Sequence, residues 1–172
     1  MLKVSGAVLL MLGAAGFAFS ICRERKRRLL LLKNMKEMYR LLQNEICYTA
    51  LPLPEIFRIV GERIHEPFGE ALFSVSSRMT LKRGEDLKKV WESEMGNCLD
   101  KIPLKDQEKE LLLKFPECVG MNESKGQANA LNRYIEEIDR LILQMEEEEK
   151  SKNKVIMSLG IAAGLFMVII LL

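Results

Sequence analysis

"NEICYTALPLPEIF", Asn44 to Phe57, ends one helical pattern and starts another across two prolines. Upstream, Leu31, Met35, Met38, Leu42 and Ile46 recur every three or four residues, which is the apolar stripe of a helix. Lys33, Lys36, Glu37, Arg40 and Gln43 fall off that stripe. Pro52 disfavours the helical state of the residue before it, so the first helix must stop there. Pro54 suits the first turn of a new helix, where its missing N–H is no loss. Ile56, Phe57, Val60 and Ile64 give that helix its stripe. The stretch therefore reads as helix, corner, helix. Leu53 is expected to plug the corner with Ile46 and Tyr48 packed beneath it, because large aromatics more often fill cores than bind ligands. Glu45, Tyr48, Pro52, Leu53 and Pro54 are thus read as a structural joint.

The pattern continues in the same style downstream. Pro67 closes the second helix and opens a third, with Phe68, Leu72, Val75 and Met79 on one face. Gly84 follows the cationic pair Lys82 and Arg83, as at a helix end. A fourth helix carries Leu87, Val90, Trp91 and Met95. A fifth runs from about Asp106 with Leu111, Leu112, Phe115 and Val119 facing in, and Pro116 should kink it or end it early. The last stripe runs through Leu131, Tyr134, Ile135, Ile138, Leu141, Ile142 and Met145, and no breaker separates it from the end of the sequence. No convincing strand is present. The expectation is an all-α bundle of about six helices.

Two uncharged runs bracket this bundle. Val4 to Cys22 carries no charge over 19 residues, and Val155 to Leu172 none over 18. Each meets the length of about 18 apolar residues needed to cross a bilayer as a helix. The chain is accordingly divided into a transmembrane helix at 1–22, a helical domain at 23–154 and a transmembrane helix at 155–172. A cleaved signal peptide is disfavoured. The apolar run exceeds the usual core of about 7–15 residues, and "RERKRR", Arg23 to Arg28, follows it at once. The cations Arg23, Arg25, Lys26, Arg27 and Arg28 flank one run, and Lys150, Lys152 and Lys154 flank the other. All lie on the side of the middle domain. The positive-inside rule then places that domain in the cytoplasm of a two-pass cell-membrane protein, with lipid contact as a consequence.

The runs also carry small residues at helical spacing. "GIAAG" places Gly160 and Gly164 one turn apart, while Gly6, Gly13 and Ser20 are spaced by seven and Gly16 and Ser20 by four. Such residues let helix backbones approach closely in lipid, within one molecule or between copies of a homo-oligomer.

Several functions are disfavoured by what is present. The net charge of +2 over 172 residues gives no bias toward nucleic acid. Cys22, Cys47, Cys98 and Cys118 are widely spaced, form no CxxC and have one histidine, His65, to assist, so they read as free thiols. Glu55, Glu62, Glu66 and Glu70 are scattered on polar faces, and Glu146 to Glu149 spread around a whole turn. Neither arrangement converges on one point. No phosphate-binding glycine loop and no grouping of acid, base and nucleophile is found. The expectation is a non-enzyme with no cofactor, no metal, no nucleic acid and no small-molecule substrate.

Several stretches together carry a resemblance: "LLQNEICYTALPLPEIF", "KRGEDLKKVWE", "FPECVGMNESKGQANAL" and the ending "SLGIAAGLFMVIILL". Over essentially the whole chain this resembles the stage III sporulation protein AB family of endospore-forming Firmicutes. Its most specific parts are Glu45, Tyr48, Pro52 and Leu53, and then Ser158, Leu159, Gly160 and Gly164; Trp91 after Gly84 also fits. Asn122 and Pro116 depart from the family's usual aspartate and small residue. The resemblance implies a part in a secretion-like channel between mother cell and forespore, in the mother-cell membrane that faces the forespore. It implies as partners a cytoplasmic ATPase, stage III sporulation protein AA, and other channel membrane proteins. It also implies a cytoplasmic domain similar to the platform protein of type II secretion and type IV pilus systems. The competing readings are a membrane-anchored regulatory or scaffold module that binds a cytoplasmic signalling protein, and an enzyme acting on lipid.

Overall fold

The computed structural model describes the backbone of residues 2–49, 51–82, 84–119 and 124–171, and the side chains of residues 23–49, 51–82, 84–119 and 126–149. The described residues form seven helices and no strand: α1 (Leu2–Tyr48), α2 (Leu53–Arg63), α3 (Phe68–Leu81), α4 (Leu87–Leu99), α5 (Asp106–Leu113), α6 (Phe115–Val119) and α7 (Ser124–Leu171). The all-α class is as expected. The uninterrupted sequence after Ala128 gives one uninterrupted helix, α7. The single helix expected from Asp106 to Val119 is two, because Pro116 cannot donate to the carbonyl of Leu112.

The frame of the molecule is the pair α1 and α7. Lys33 Nζ lies 2.7 Å from Glu146 Oε1, Lys36 pairs with Asp139, and Gln43 Nε2 donates to Asn132 Oδ1 at 2.8 Å and to the Ala128 carbonyl at 3.1 Å. Rising numbers on one helix meet falling numbers on the other, so the two are antiparallel. The α2–α3 hairpin packs on α1, α4 lies on α3, and α5 and α6 close the bundle between α4 and α7. Every apolar position of the first stripe from Leu31 to Leu42 is buried, joined by Leu32 and Tyr39.

An aromatic cluster holds the centre. The rings of Trp91 and Phe115 stack at 4.4 Å, and Phe57 packs on both at 5.6 and 6.0 Å. Tyr39 meets Phe115 at 5.9 Å and Tyr134 at 6.2 Å. The break between α5 and α6 leaves carbonyls that the helix itself cannot fully satisfy. Trp91 Nε1 donates to Leu112 O at 2.9 Å and Tyr39 Oη to Leu111 O at 2.7 Å. Buried indole and phenol groups need such partners, and here they staple the proline break into the core.

Among the described residues no helix is long and apolar enough to cross a membrane. The expected spans, 1–22 and 155–172, lie outside the residues whose side chains are described.

Candidate functional site

Two ends of the bundle matter. At the base, α1 and α7 carry the chain toward its two uncharged runs. At the tip, α1 turns into α2. Tyr48 lies 20 residues up α1 from Arg28, and at 1.5 Å per residue the tip stands about 30 Å above that arginine.

The tip is built as the prolines require. Pro52 sits at φ −67° and ψ 145°, outside the helix, and Pro54 occupies the first turn of α2. The Pro52 carbonyl accepts the N–H groups of Glu55 at 2.9 Å and Ile56 at 3.2 Å, which starts the α2 ladder. Glu45 Oε1 receives Arg63 Nη1 at 3.2 Å, tying the end of α1 to the end of α2. Ser76 donates to the Pro54 carbonyl at 2.6 Å, which brings the later turns of α3 to the same end. Leu53 and Ile46 are half-buried against the core. Tyr48 is not packed beneath the corner: it is 86% exposed. As the last residue of α1 it lies beyond the point where α2 can cover it.

Tyr48 is one of three exposed apolar side chains toward this end. Leu81, the last residue of α3, is 84% exposed, and Leu51 is 37% exposed. All three belong to the ends of α1 and α3 or to the corner between α1 and α2. Beyond Leu81, Arg78 holds the residues that lead into α4. Gly84 holds φ +100°, and Arg78 grips Glu85 through Nε at 3.1 Å and Nη2 at 2.8 Å. The same arginine reaches Glu94 at 2.9 Å and Ser93 at 2.9 Å across to α4. Its hydrogen bonds hold the Glu85 carboxyl below its ordinary range.

The base is organised by a residue read from sequence as a flank. Arg28 Nε donates to both carboxylate oxygens of Glu108, at 3.0 and 2.9 Å, and Nη2 adds a further contact. Glu108 is 1% exposed and also accepts the Lys105 N–H at 2.8 Å. Arg28 thus fixes the start of α5 onto α1 besides contributing charge. Arg23, Lys26 and Arg27 are exposed, and Arg25 is half-buried. Gly6, Gly13, Gly16, Ser20, Gly160 and Gly164, and the side chains of Lys150, Lys152 and Lys154, lie outside the residues whose side chains are described.

Sequence reading missed Glu108, although it stands at the third position of α5, where a carboxylate caps the preceding N–H. A lysine at the position before the helix hides that signal. It also missed the Arg78 network, whose partners lie on two elements. The cysteines offer little chemistry: burial pushes the Cys98 thiol up to about 11, and burial followed by the Glu117 charge pushes Cys118 to about 11. Among the described residues no three histidine, cysteine or acidic side chains gather in a way that could hold a metal ion.

Three comparisons bear on this arrangement. A family model described as stage III sporulation protein AB matches residues 3–172. A relative of that name from Bacillus subtilis (strain 168) is 25% identical over 172 residues, covering 100% of both chains. A solved structure of a stage III sporulation protein AB superimposes with a TM-score of 0.67 at 18% identity, over 73% of this chain and 98% of the other. That likeness speaks for the fold of the helical domain.

Proposed function

This chain belongs to the stage III sporulation protein AB family, and from that premise we propose that it is a non-catalytic membrane platform that couples a cytoplasmic ATPase to a sporulation channel. The observation that carries this reading is the antiparallel α1–α7 frame. It sends both uncharged runs away from the same end of the bundle and presents the tip at the other. A domain tethered at two points cannot swivel freely, so a push delivered at the tip reaches the membrane. The basic flanks orient the domain toward the cytoplasm. The exposed side chains of Tyr48, Leu51 and Leu81 supply the apolar contact area that a soluble partner needs.

Co-purification with the tagged full-length chain from sporulating cells tests the proposal. The platform reading expects the stage III AA-type ATPase and other channel membrane proteins to be retained. A Tyr48→Asp/Leu81→Asp variant should keep the membrane proteins and lose the ATPase. Recovery of a soluble regulator alone would reject the platform.

A further inference from the structure

A groove at the base has no part in the reading above. It is lined by α1, by the α2–α3 loop and by the α4–α5 loop, with a volume of about 540 Å³. Its apolar floor includes Leu30, which is 67% exposed, and Ile102. Arg27 and Lys101 stand on its rim, both exposed, together with His65 and a single acid, Glu66. Asn34 Nδ2 donates to the His65 carbonyl at 2.8 Å and so holds the α2–α3 loop against α1. Three separate segments therefore converge to place two cations beside an exposed leucine.

The height of the groove indicates what fills it. Leu30 is eight residues beyond Cys22, the end of the first uncharged run, on the same helix. At 1.5 Å per residue that is about 12 Å. A bilayer's polar headgroup zone extends roughly 5–8 Å beyond its hydrocarbon core, and its surface potential decays over about 8–10 Å at ordinary ionic strength. The near edge of the groove, at Arg27, falls within that reach. We propose that this groove receives the headgroup of an anionic phospholipid from the adjoining leaflet, with Arg27 and Lys101 on the phosphate and the acyl chains left in the bilayer. The volume lies within the range of small-ligand sites. Lys101 enters this groove from the α4–α5 loop, 79 positions beyond Cys22, and plays no part in topology.

The inference rests on the two-span reading, and the test separates the two. The full-length chain is reconstituted into phosphatidylcholine vesicles with a trace of photoactivatable phosphatidylglycerol or photoactivatable phosphatidylcholine. Labelled peptides are then mapped. Phosphatidylglycerol should label the Lys101–Ile102 and Leu30 peptides in excess of phosphatidylcholine. Lys101→Gln should lower that labelling about five-fold, the worth of one basic residue at an anionic surface, and Lys101→Glu should lower it further. Lys105→Glu, which changes a cation in a different basal groove, should leave it unaltered. Unchanged Trp91 emission would show that the variants fold. A chain that inserts yet labels equally with both lipids, or that labels equally in Lys101→Glu, overturns the headgroup site alone. A chain that fails to insert overturns the two-span reading and the site together. Loss of labelling on adding inorganic phosphate would assign the groove to a free anion and overturn the lipid site.

Discussion

Trp91 is the sole tryptophan and is fully buried, so its emission reports the core directly. Replacing it with phenylalanine keeps a ring against Phe115 but removes the indole N–H from the Leu112 carbonyl, which the Tyr39 hydroxyl still reaches at 3.5 Å, and should cost about 0.5–1.5 kcal/mol. Alanine should cost about 3–5 kcal/mol, since it also opens a cavity. Thermal unfolding of the full-length protein followed by circular dichroism orders the two variants. The thiols give an independent check. Only a thiolate alkylates, so thiols raised to about 11 leave Cys98 and Cys118 mostly protonated at pH 8. Alkylation of both should be on the order of a hundred-fold slower than for an unperturbed thiol, and denaturant should restore it. At this scale the sequence was readable where periodicity spoke and unreadable at helix ends. Tyr39 and Tyr48 look alike in composition. Tyr39 lies next to stripe position Met38 and is buried, whereas Tyr48 follows the stripe's last residues and is exposed.

Among the elements, the α2–α3 hairpin and the α3–α4 turn depend on glycine for different reasons. A Cβ on Gly69 would meet Ile64 O at 2.5 Å and Gly61 O at 2.9 Å, both backbone atoms that cannot swing away. Gly69→Ala should destabilise by about 1–3 kcal/mol. Gly84→Ala meets nothing but must hold φ +100°, at a cost of about 1–2 kcal/mol. Gly96, inside α4 with open space around it, should instead gain about 0.5–1 kcal/mol as alanine. Melting temperatures of the three variants should fall, fall and rise.

The Arg78–Glu85 pair closes the same turn and makes its stability depend on pH. Glu85 has a folded value below its ordinary 4.5. Its contribution is therefore present above 4.5 and lost as the pH falls through the lower folded value. An Arg78→Gln variant should be less stable than the wild type at pH 7, and the gap from this pair should close as acid protonates Glu85 in both. Pro52, Pro54 and Pro67 announced their helix boundaries, and Pro116 announced a break. What Pro116 could not announce is that Trp91 and Tyr39, far away in sequence, would bond the carbonyls at that break.

For the whole molecule, the alternation of apolar stripes and prolines was enough to read an all-α bundle. It did not give the antiparallel register of α1 and α7. That register is set by pairs such as Lys36 with Asp139 and Gln43 with Asn132, which are separated by most of the chain and carry no local periodic signal. The exposed apolar tip was hidden for a related reason: Tyr48 and Leu81 belong to different helices, and only the packing of α3 against α2 brings those helix ends to one side. On the platform proposal, this tip is where the soluble ATPase engages the membrane-held domain. The most direct measurement places a photo-crosslinking amino acid at Tyr48, and separately at the exposed Arg140 on α7, in sporulating cells. An adduct with the stage III AA-type ATPase is expected from Tyr48 and none from Arg140; an adduct from Arg140 with none from Tyr48 would overturn the proposed engagement at the tip.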